Sequence, residues 1–331
     1  IHGQDTPPPI GRMALLLGQA GLLGLTVSNG GHGLGVLAAV HALETVGRHR
    51  PFFIDPLFFG NFSIARVIGD AAESNCRGRY LARLIRGEAI LPMAISEPVA
   101  GAAAADLTTA TSESDGTLTV TGEKRFVSYV SDAKEVAVAA RFGTGVETIG
   151  AVIVPTNAPH LELGTSQRFI GGESWSAIKL RSVRVAPTDV VLRGGLFTRW
   201  GGLFDCDKLG TSARALGLAL HCFDAARLYA AERRQFGRPL CEFQAIQAKF
   251  GEMDARLNAA RLVLYTAAKA ADDGASIGYE AAAAKLLCGE VALRACSEAA
   301  QIMGATGVSS LAKVEYCLRK VQGLTITSGT S

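Results

Sequence analysis

The residues best suited to chemistry lie in one short segment, Glu232 to Leu240 (ERRQFGRPL). Arg233 offers a forked cation for phosphate oxygens, Gln235 an amide and Phe236 an aromatic face. A dinucleotide needs these three groups at one corner, so the segment predicts a cofactor site. The alternative is helix capping alone, because cations in the last turn of a helix stabilise its dipole by roughly 0.3–1 kcal/mol.

A glycine-rich run, Gly30 to Gly35 (GGHGLG), is a second candidate for binding phosphate. A dinucleotide fingerprint of this kind requires a preceding β-strand and an acidic residue about 20 positions further on. The sequence around this run has a helical pattern instead. We therefore expect a loop that leads into a helix, and no phosphate site.

The composition excludes several classes of function. The chain has 331 residues, 48% of them hydrophobic, which is enough to fill two or three hydrophobic cores. Its net charge is +3, and positive and negative residues are interspersed along it, so the charge gives no indication of binding to nucleic acid or to a membrane surface. Seven dispersed cysteines without a CxxC pair predict buried thiols in a reducing compartment and no metal site. No apolar run approaches the roughly 18–20 residues that cross a bilayer, so we expect a cytoplasmic protein.

The elements that position the candidate residues fall into three parts. Residues 1–93 and 201–331 show helical periodicity, and residues 94–200 show short β-branched runs bounded by turn residues. The periodic runs are 13–17, 36–46, 52–68, 80–85, 213–234, 243–271, 279–303 and 310–321, and the β runs are 118–122, 136–140, 151–155 and 183–185. We predict a mainly α, α+β chain with an N-terminal helical domain, a small central β-barrel or sandwich, and a C-terminal four-helix bundle.

Two motifs in the β part complete a recognisable pattern. Residues 94–101 read AISEPVAG and residues 122–128 read GEKRFVS. Each alone is an ordinary turn or strand, but with the Glu232 segment they resemble, in order and spacing, the acyl-CoA dehydrogenase flavoproteins over nearly the whole chain. The family's Ser-Asp pair is replaced by Ala102-Ala103, so the contacts of those two side chains are lost.

The resemblance assigns one half of an FAD site to these β motifs. It implies that Ser96 hydrogen-bonds the pyrimidine side of the flavin, that Phe126 stacks beside the isoalloxazine, and that the Ser128 hydroxyl lies near flavin N5. The further cofactor contacts it implies in the same motifs are Ile95, Gly101 and Val127.

The helical part supplies the other half of the implied FAD site, including residues that reach the cofactor of a neighbouring subunit. The resemblance places Arg233, Gln235 and Phe236 at the pyrophosphate and adenine side, followed by the lining residues Leu240, Phe243 and Ile246. It places Gln301, Gly304 and Ala305 against FAD from the neighbouring subunit, and Thr330 near a flavin oxygen or phosphate. It therefore implies a homodimer or a dimer of dimers.

The catalytic base is the main departure from the family. Most members carry a glutamate directly before the terminal Gly-Thr pair, where this chain has Ser328. A minority, isovaleryl-CoA dehydrogenase among them, carry it on the helix before the Arg-rich turn, and that alignment places Asp207 there, with Asp205 and Lys208 as substrate-side residues. The alternative is that Asp205 and Asp207 only favour a helix N-terminus.

The resemblance implies FAD-dependent oxidation of an acyl thioester, carried by CoA or by an acyl-carrier protein, to the α,β-unsaturated thioester. The α-proton goes to the base and the β-hydride to flavin N5, and an electron-transfer flavoprotein or oxygen takes the electrons. Two alternatives stay open: a flavin oxidase or monooxygenase, and a base-lacking subunit of a hetero-oligomer. Tyr129, Trp175 and Trp200 are candidates for lining a pocket or for ordinary packing.

Overall fold

The structure is a computed structural model that describes residues 7–198 and 201–331. Residues 1–6 and Trp200 therefore lie outside the described residues. The chain divides into two compact units. The sheet unit comprises residues 9–35, 55–198 and 201–204, and the bundle unit comprises residues 7–8, 36–54 and 205–331. The three-domain boundaries at 93/94 and 200/201 stay a prediction.

The helices and strands are these. The helices are α1 (Ile10–Gln19), α2 (Gly35–His49), α3 (Ile54–Asn61), α4 (Ile64–Asp70), α5 (Ser74–Ile85), α6 (Gly201–Glu232), α7 (Gln244–Asp272), α8 (Gly278–Met303) and α9 (Val314–Leu324). The strands are β1 (Met93–Ala94), β2 (Ala110–Ser114), β3 (Thr117–Ser128), β4 (Glu135–Arg141), β5 (Ile149–Pro155), β6 (Leu161–Leu163), β7 (Gln167–Arg168), β8 (Ser174–Val185), β9 (Val190–Leu192), β10 (Arg234–Gln235) and β11 (Arg238–Pro239).

The sheet unit is built on one sheet with the strand order β6-β8-β3-β2-β4-β5-β9, in which β1 also pairs with β4 and β7 with β8. Strands β4 and β5 are buried on both faces, which explains their unbroken runs of Val, Ile and Ala. One face packs Ala137 and Ile153 against Ile68 of α4 and Leu84 of α5. The opposite face forms a second core around Val138.

The central strands are longer than the sequence pattern predicts. The pattern ends a strand at Gly122, but β3 continues through it to Ser128. The register of β3 against β8 shifts between Val120 and Gly122 and again between Lys124 and Val127. A glycine inside a strand often marks such a bulge, so the predicted end at Gly122 is wrong for a physical reason.

The helix expected over residues 52–68 is two helices, because Ser63 adopts a left-handed φ of 54° between α3 and α4.

The expectation that no apolar run approaches the length of a membrane span also needs correction. Pro51–Asp70 meets that criterion by length and composition. Within it, 78% of the most apolar window is buried in the protein, as in the core helices of a globular fold.

The bundle unit packs α2 with α6, α7, α8 and α9. Helices α2 and α6 cross closely at glycines, since a Cβ on Gly217 would lie 2.7 Å from the Glu44 carbonyl oxygen and 3.0 Å from the Gly47 Cα. Helix α6 begins at Gly201, where the helical part is predicted to begin and about three turns before its periodic run starts at residue 213. Those additional turns carry Asp205 and Asp207, so they place the candidate acids on a helix of the bundle.

Candidate functional site

A buried ion pair joins the two β motifs of the sheet unit. The Lys124 ammonium donates to Glu97 Oε1 over 2.9 Å and to the Ile95 carbonyl over 3.0 Å. Both side chains of the pair are at most 1% exposed. The Arg125 amide also donates to the Ser96 carbonyl over 2.8 Å. The loop that carries Ser96 is therefore fixed against the strand that carries Phe126 and Ser128.

The Glu97 carboxylate is stabilised as an anion. It accepts hydrogen bonds from the Thr108 amide and hydroxyl, both at 2.7 Å, and from the Thr109 amide at 2.9 Å, in addition to Lys124. Burial alone would raise the pKa of Glu97, but the hydrogen bonds from Thr109, Thr108 and Lys124 outweigh it and lower the pKa to about 2. Burial lowers the pKa of Lys124, and its bond to Glu97 opposes that change.

The second bulge of β3 turns Phe126 out of the sheet. Phe126 has a left-handed φ of 56° and is 52% exposed, and its ring lies 4.8 Å from that of Trp175 and 6.3 Å from that of Phe169. Ser128 pairs with Trp175 across the ladder to β8. Trp175 thus belongs to an open aromatic surface beside Ser128, which suits a planar ring system.

The other cofactor residues predicted in this unit are placed differently. Val127 is 1% exposed and packs in the sheet core. Ile95 is partly buried against the core of α4 and α5. Gly101 is exposed, and a Cβ there would meet open space.

The Arg-rich segment of the bundle unit is a small hairpin between α6 and α7. Strands β10 and β11 pair antiparallel, and the two residues of the turn, Phe236 and Gly237, have left-handed φ values of 51° and 83°. The Leu240 amide closes the base by donating to the Arg233 carbonyl over 2.9 Å. This turn geometry, in which both residues have positive φ, is the one that favours two-residue hairpins.

The hairpin presents its functional groups outward. Arg233 and Gln235 are exposed and Phe236 is 93% exposed. The Arg238 guanidinium lies 4.1 Å from the centre of the Phe243 ring, which holds that ring at the start of α7. Leu240 and Ile246 are half-buried beside it. The structure therefore brings the cation, the amide and the aromatic rings to one corner, as the sequence predicts.

The candidate acids lie on the early turns of α6. Asp207 is 8% exposed, and Asp205 forms an ion pair with Lys208 over 2.7 Å. Lys285 of α8 is 6% exposed, and burial, followed by the charge of Lys208, lowers its pKa. Asp207 is thus buried and Asp205 is paired with a cation, so the two acids do not simply line a solvated helix end.

The terminal turn folds back onto this end of α6. The hydroxyl oxygens of Ser328 and Thr211 lie 3.1 Å apart, and Thr211 follows Asp207 by one helical turn. The Thr325 carbonyl accepts three hydrogen bonds of 3.1 Å, from Lys285 Nζ and from the amide and hydroxyl of Ser331. Position 328, where the family resemblance implies a base, is therefore adjacent to the Asp207 end of α6.

The residues predicted to reach a neighbouring subunit's cofactor lie at the C-terminal end of α8, just after it and on the terminal turn. Gln301, Gly304 and Ala305 are exposed, and Gly304 has a left-handed φ of 58°. Thr330 is exposed on the terminal turn.

Sequence reasoning missed the buried polar partners. Neither the Glu97–Lys124 pair nor the Thr211–Ser328 contact has a local signature, because each joins residues that are distant in sequence. Arg214, which is 4% exposed on α6 and donates to the Thr211 hydroxyl over 3.0 Å, was also missed. An arginine within an otherwise small and apolar helical run was the one available signal.

Family models match most of the chain. The model described as "Acyl-CoA dehydrogenase, middle domain" covers residues 92–183, and the model described as "Acyl-CoA dehydrogenase, C-terminal domain" covers residues 197–331. These two stretches contain the Ser96, Phe126, Asp207 and Arg233 segments.

Curated relatives and a solved structure agree with the family models. A 3-(aryl)acrylate reductase from Clostridium sporogenes is 34% identical over 76% of this chain and 68% of its own length. The caffeyl-CoA reductase-Etf complex subunit CarC from Acetobacterium woodii is 30% identical over 76% of this chain and 68% of its own. The structure of butyryl-CoA dehydrogenase from Megasphaera elsdenii superimposes with a TM-score of 0.85 and 26% identity, covering 100% of this chain and 96% of that one.

Proposed function

The chain belongs to the acyl-CoA dehydrogenase family, and from that premise we propose that it binds FAD and oxidises an acyl thioester to the α,β-unsaturated thioester. The observation that carries the proposal is the buried carboxylate of Asp207 at the end of α6 that meets the terminal turn. A base that removes a weakly acidic α-proton must be a proton acceptor shielded from water.

The residues present fit FAD by their chemistry. The sheet unit offers an open aromatic surface at Phe126 and Trp175 with the Ser128 hydroxyl beside it. The hairpin offers Arg233 for a pyrophosphate and exposed aromatic carbons at Phe236. When bound, FAD supplies the acceptor for the β-hydride.

The protein's own residues have separate tasks in the proposed reaction. Asp207 accepts the α-proton from the substrate carbon next to the thioester carbonyl. Lys208 and Asp205 form an ion pair at the same end of α6. Ser328 cannot act as the base, since a hydroxyl stays protonated at neutral pH whereas a carboxyl group is ionised and can accept a proton. Burial favours the transfer because it removes competing water from the acceptor.

The proposal also covers the protein that accepts the electrons and the cellular compartment in which the enzyme works. One relative is named as a subunit of a reductase-Etf complex, which supports an electron-transfer flavoprotein as the partner that takes the electrons here. Two relatives are named reductases, and the same site can run the reverse reaction with a suitable donor. We place the protein in the cytoplasm, and fractionation of the source cells tests that assignment.

Anaerobic flavin bleaching tests the proposed function. The protein reconstituted with FAD is mixed with a panel of acyl-CoA and acyl-carrier thioesters, and loss of the oxidised flavin absorbance is followed. We expect bleaching with at least one saturated thioester in the wild-type protein. Asp207→Asn should retain FAD and lose bleaching by about 10²–10⁴-fold in rate.

The control is Asp254→Asn, which removes an exposed carboxylate from α7 and should keep bleaching. Protein that takes up no FAD would refute cofactor binding, and full turnover in Asp207→Asn would remove Asp207 from the mechanism. Peroxide released under air in proportion to substrate would favour the oxidase alternative.

A further inference from the structure

Three polar residues form a buried stripe on one side of α6. Asp207, Thr211 and Arg214 stand at i, i+4 and i+7, the spacing that places residues on one helix face. Their exposed fractions are 8%, 1% and 4%. Neighbouring positions such as Ala213 and Ala215 are small and apolar. The stripe is therefore a distinct polar feature within an apolar helix surface.

The Arg214 side chain points toward the Asp207 end of this stripe. Its Nη2 donates to Thr211 Oγ1 over 3.0 Å, and side chains on a helix lean toward the helix N-terminus. Thr211 Oγ1 in turn lies 3.1 Å from Ser328 Oγ. The guanidinium charge is thus directed at the end of α6 that carries the buried carboxylate and the terminal turn.

Burying a guanidinium is costly. Removing one ion from water costs several kcal/mol in a real protein unless opposite charge and hydrogen bonds compensate. The stripe contains one buried carboxylate, that of Asp207. Asp205 and Lys208 on α6 pair with each other, and Lys285 on α8 donates to the Thr325 carbonyl. Glu44 of α2, which packs against α6 at Gly217, is buried but pairs with Arg261. The compensating charge for Arg214 is therefore best supplied by Asp207.

We propose that Arg214 is a positioning residue that keeps Asp207 ionised and aligned to accept the substrate α-proton. The inference rests on the proposed function for its reaction, in which the proton moves to an Asp207 carboxylate oxygen and the electron pair of the C–H bond stays on the substrate. The negative charge then leaves Asp207 and develops on the thioester enolate. Arg214 keeps its positive charge throughout, which favours the ionised, proton-accepting form of Asp207 before each turnover.

The ionisation of Asp207 can be tested in flavin-free protein. Aspartate labelled with carbon-13 at the carboxyl carbon is followed by NMR as the pH is lowered, and loss of one signal in Asp207→Asn identifies the residue. In Arg214→Gln the midpoint for Asp207 should move upward by about 1–3 pH units, because a nearby cation has been removed. Arg214→Lys, which keeps the charge, should stay close to wild type.

Arg227→Met is the matched control, since Arg227 is exposed on the same helix, and it should leave the Asp207 midpoint unchanged. If Arg214→Gln does not fold, the comparison of Arg214→Met with Arg214→Lys replaces it. An Asp207 midpoint that is the same with and without the charge at position 214 overturns the inference. This result does not depend on FAD, so it is separable from failure of the proposed function.

The reconstituted enzyme gives a second readout. In Arg214→Gln the acidic limb of the bleaching rate should move to higher pH in parallel with the NMR midpoint, and Arg214→Lys should restore it. If the bleaching rate falls by the same factor at every pH and the acidic limb of the pH profile does not move, Arg214 has a purely structural role and the proposal is refuted.

Discussion

At the scale of single residues, positions 207 and 328 can each present a group to the same end of α6. Ser328 Oγ lies 3.1 Å from Thr211 Oγ1, one turn beyond Asp207. We therefore predict that Ser328→Glu restores substrate-dependent bleaching to Asp207→Asn by at least about tenfold, within the range that a general base contributes.

The control for this rescue is Ser328→Gln in the Asp207→Asn background, which has the same shape but cannot accept the proton. Rescue by glutamine as well as by glutamate would show that the side chain at 328 acts by packing and not as a base.

Thiol reactivity is a second property of individual residues. All seven cysteines lie within the described residues, and six are buried, with Cys241 half-buried. Burial raises the pKa of Cys76 to about 11 and that of Cys288 to about 12. Since the thiolate is the reactive form, we predict that a thiol reagent at pH 8 labels at most Cys241 in the native protein.

In denaturant all seven thiols should react, and Cys241→Ser should remove the fast native phase. Rapid labelling of two or more thiols without denaturant would contradict the buried positions. The sequence prediction of buried thiols is confirmed by the structure for six of the seven cysteines.

At the scale of elements, the Glu97–Lys124 pair ties the Ser96 loop to β3. Glu97→Gln leaves a buried ammonium without its carboxylate, so the free energy of unfolding at pH 7 should fall by about 3–5 kcal/mol. The carboxyl pKa is lower in the folded protein, about 2, than its ordinary value of 4.5. The Glu97 contribution is therefore fully present above pH 4.5 and is lost as the pH falls toward 2.

Urea unfolding at pH 7, 5 and 3 measures this contribution. The difference between wild type and Glu97→Gln should shrink as the pH falls below 4.5. Arg193→Met serves as a control, because it breaks the exposed Arg193–Glu113 pair and should change stability by less than about 1 kcal/mol. A constant difference at all three pH values would show that Glu97 is not held as an anion.

The hairpin between α6 and α7 depends on its turn glycine. Gly237 has a φ of 83°, and an alanine there costs roughly 1–2 kcal/mol in the left-handed region. Because the hairpin is exposed, we predict that Gly237→Ala weakens FAD binding about 5- to 30-fold, the equivalent of that cost, with little change in the melting temperature.

Gly251→Ala is the matched control, since Gly251 lies within α7 and a Cβ there meets open space. That variant should bind FAD as wild type does. Equal FAD affinities for the Gly237 variant and wild type, measured by flavin fluorescence, would remove the hairpin from the cofactor site.

At the scale of the whole molecule, the bundle unit exposes large apolar side chains. Phe236 is 93%, Leu311 85% and Tyr279 82% exposed. The family resemblance implies a cofactor shared between subunits, and apolar surface of this kind suits such an interface. We predict that FAD-loaded protein sediments at twice the chain mass or more and that removing FAD shifts it toward smaller species.

Phe236→Ser, in the hairpin, should weaken both FAD binding and the association of subunits. Leu262→Ser changes an exposed leucine of α7 and should not affect FAD binding. A monomer that holds FAD tightly would refute the shared site.

Much of the architecture could be predicted from the chain because its causes are local. The 3.6-residue periodicity of α7 and α8 and the β-branched runs of β4 and β5 record which faces are buried. The hairpin motif also carries its own turn chemistry at Phe236 and Gly237. The motifs of the cofactor site were found for the same reason, since each is a continuous stretch of backbone.

Only the tertiary structure could decide which polar groups are buried together. The pairing of Glu97 with Lys124 and the contact of Thr211 with Ser328 both join segments that are far apart in sequence. A buried polar group is stable only when folding supplies its partner, and no local pattern records that partner. The sequence by itself therefore determined the elements and motifs, whereas packing between distant segments determined the environment of the candidate base.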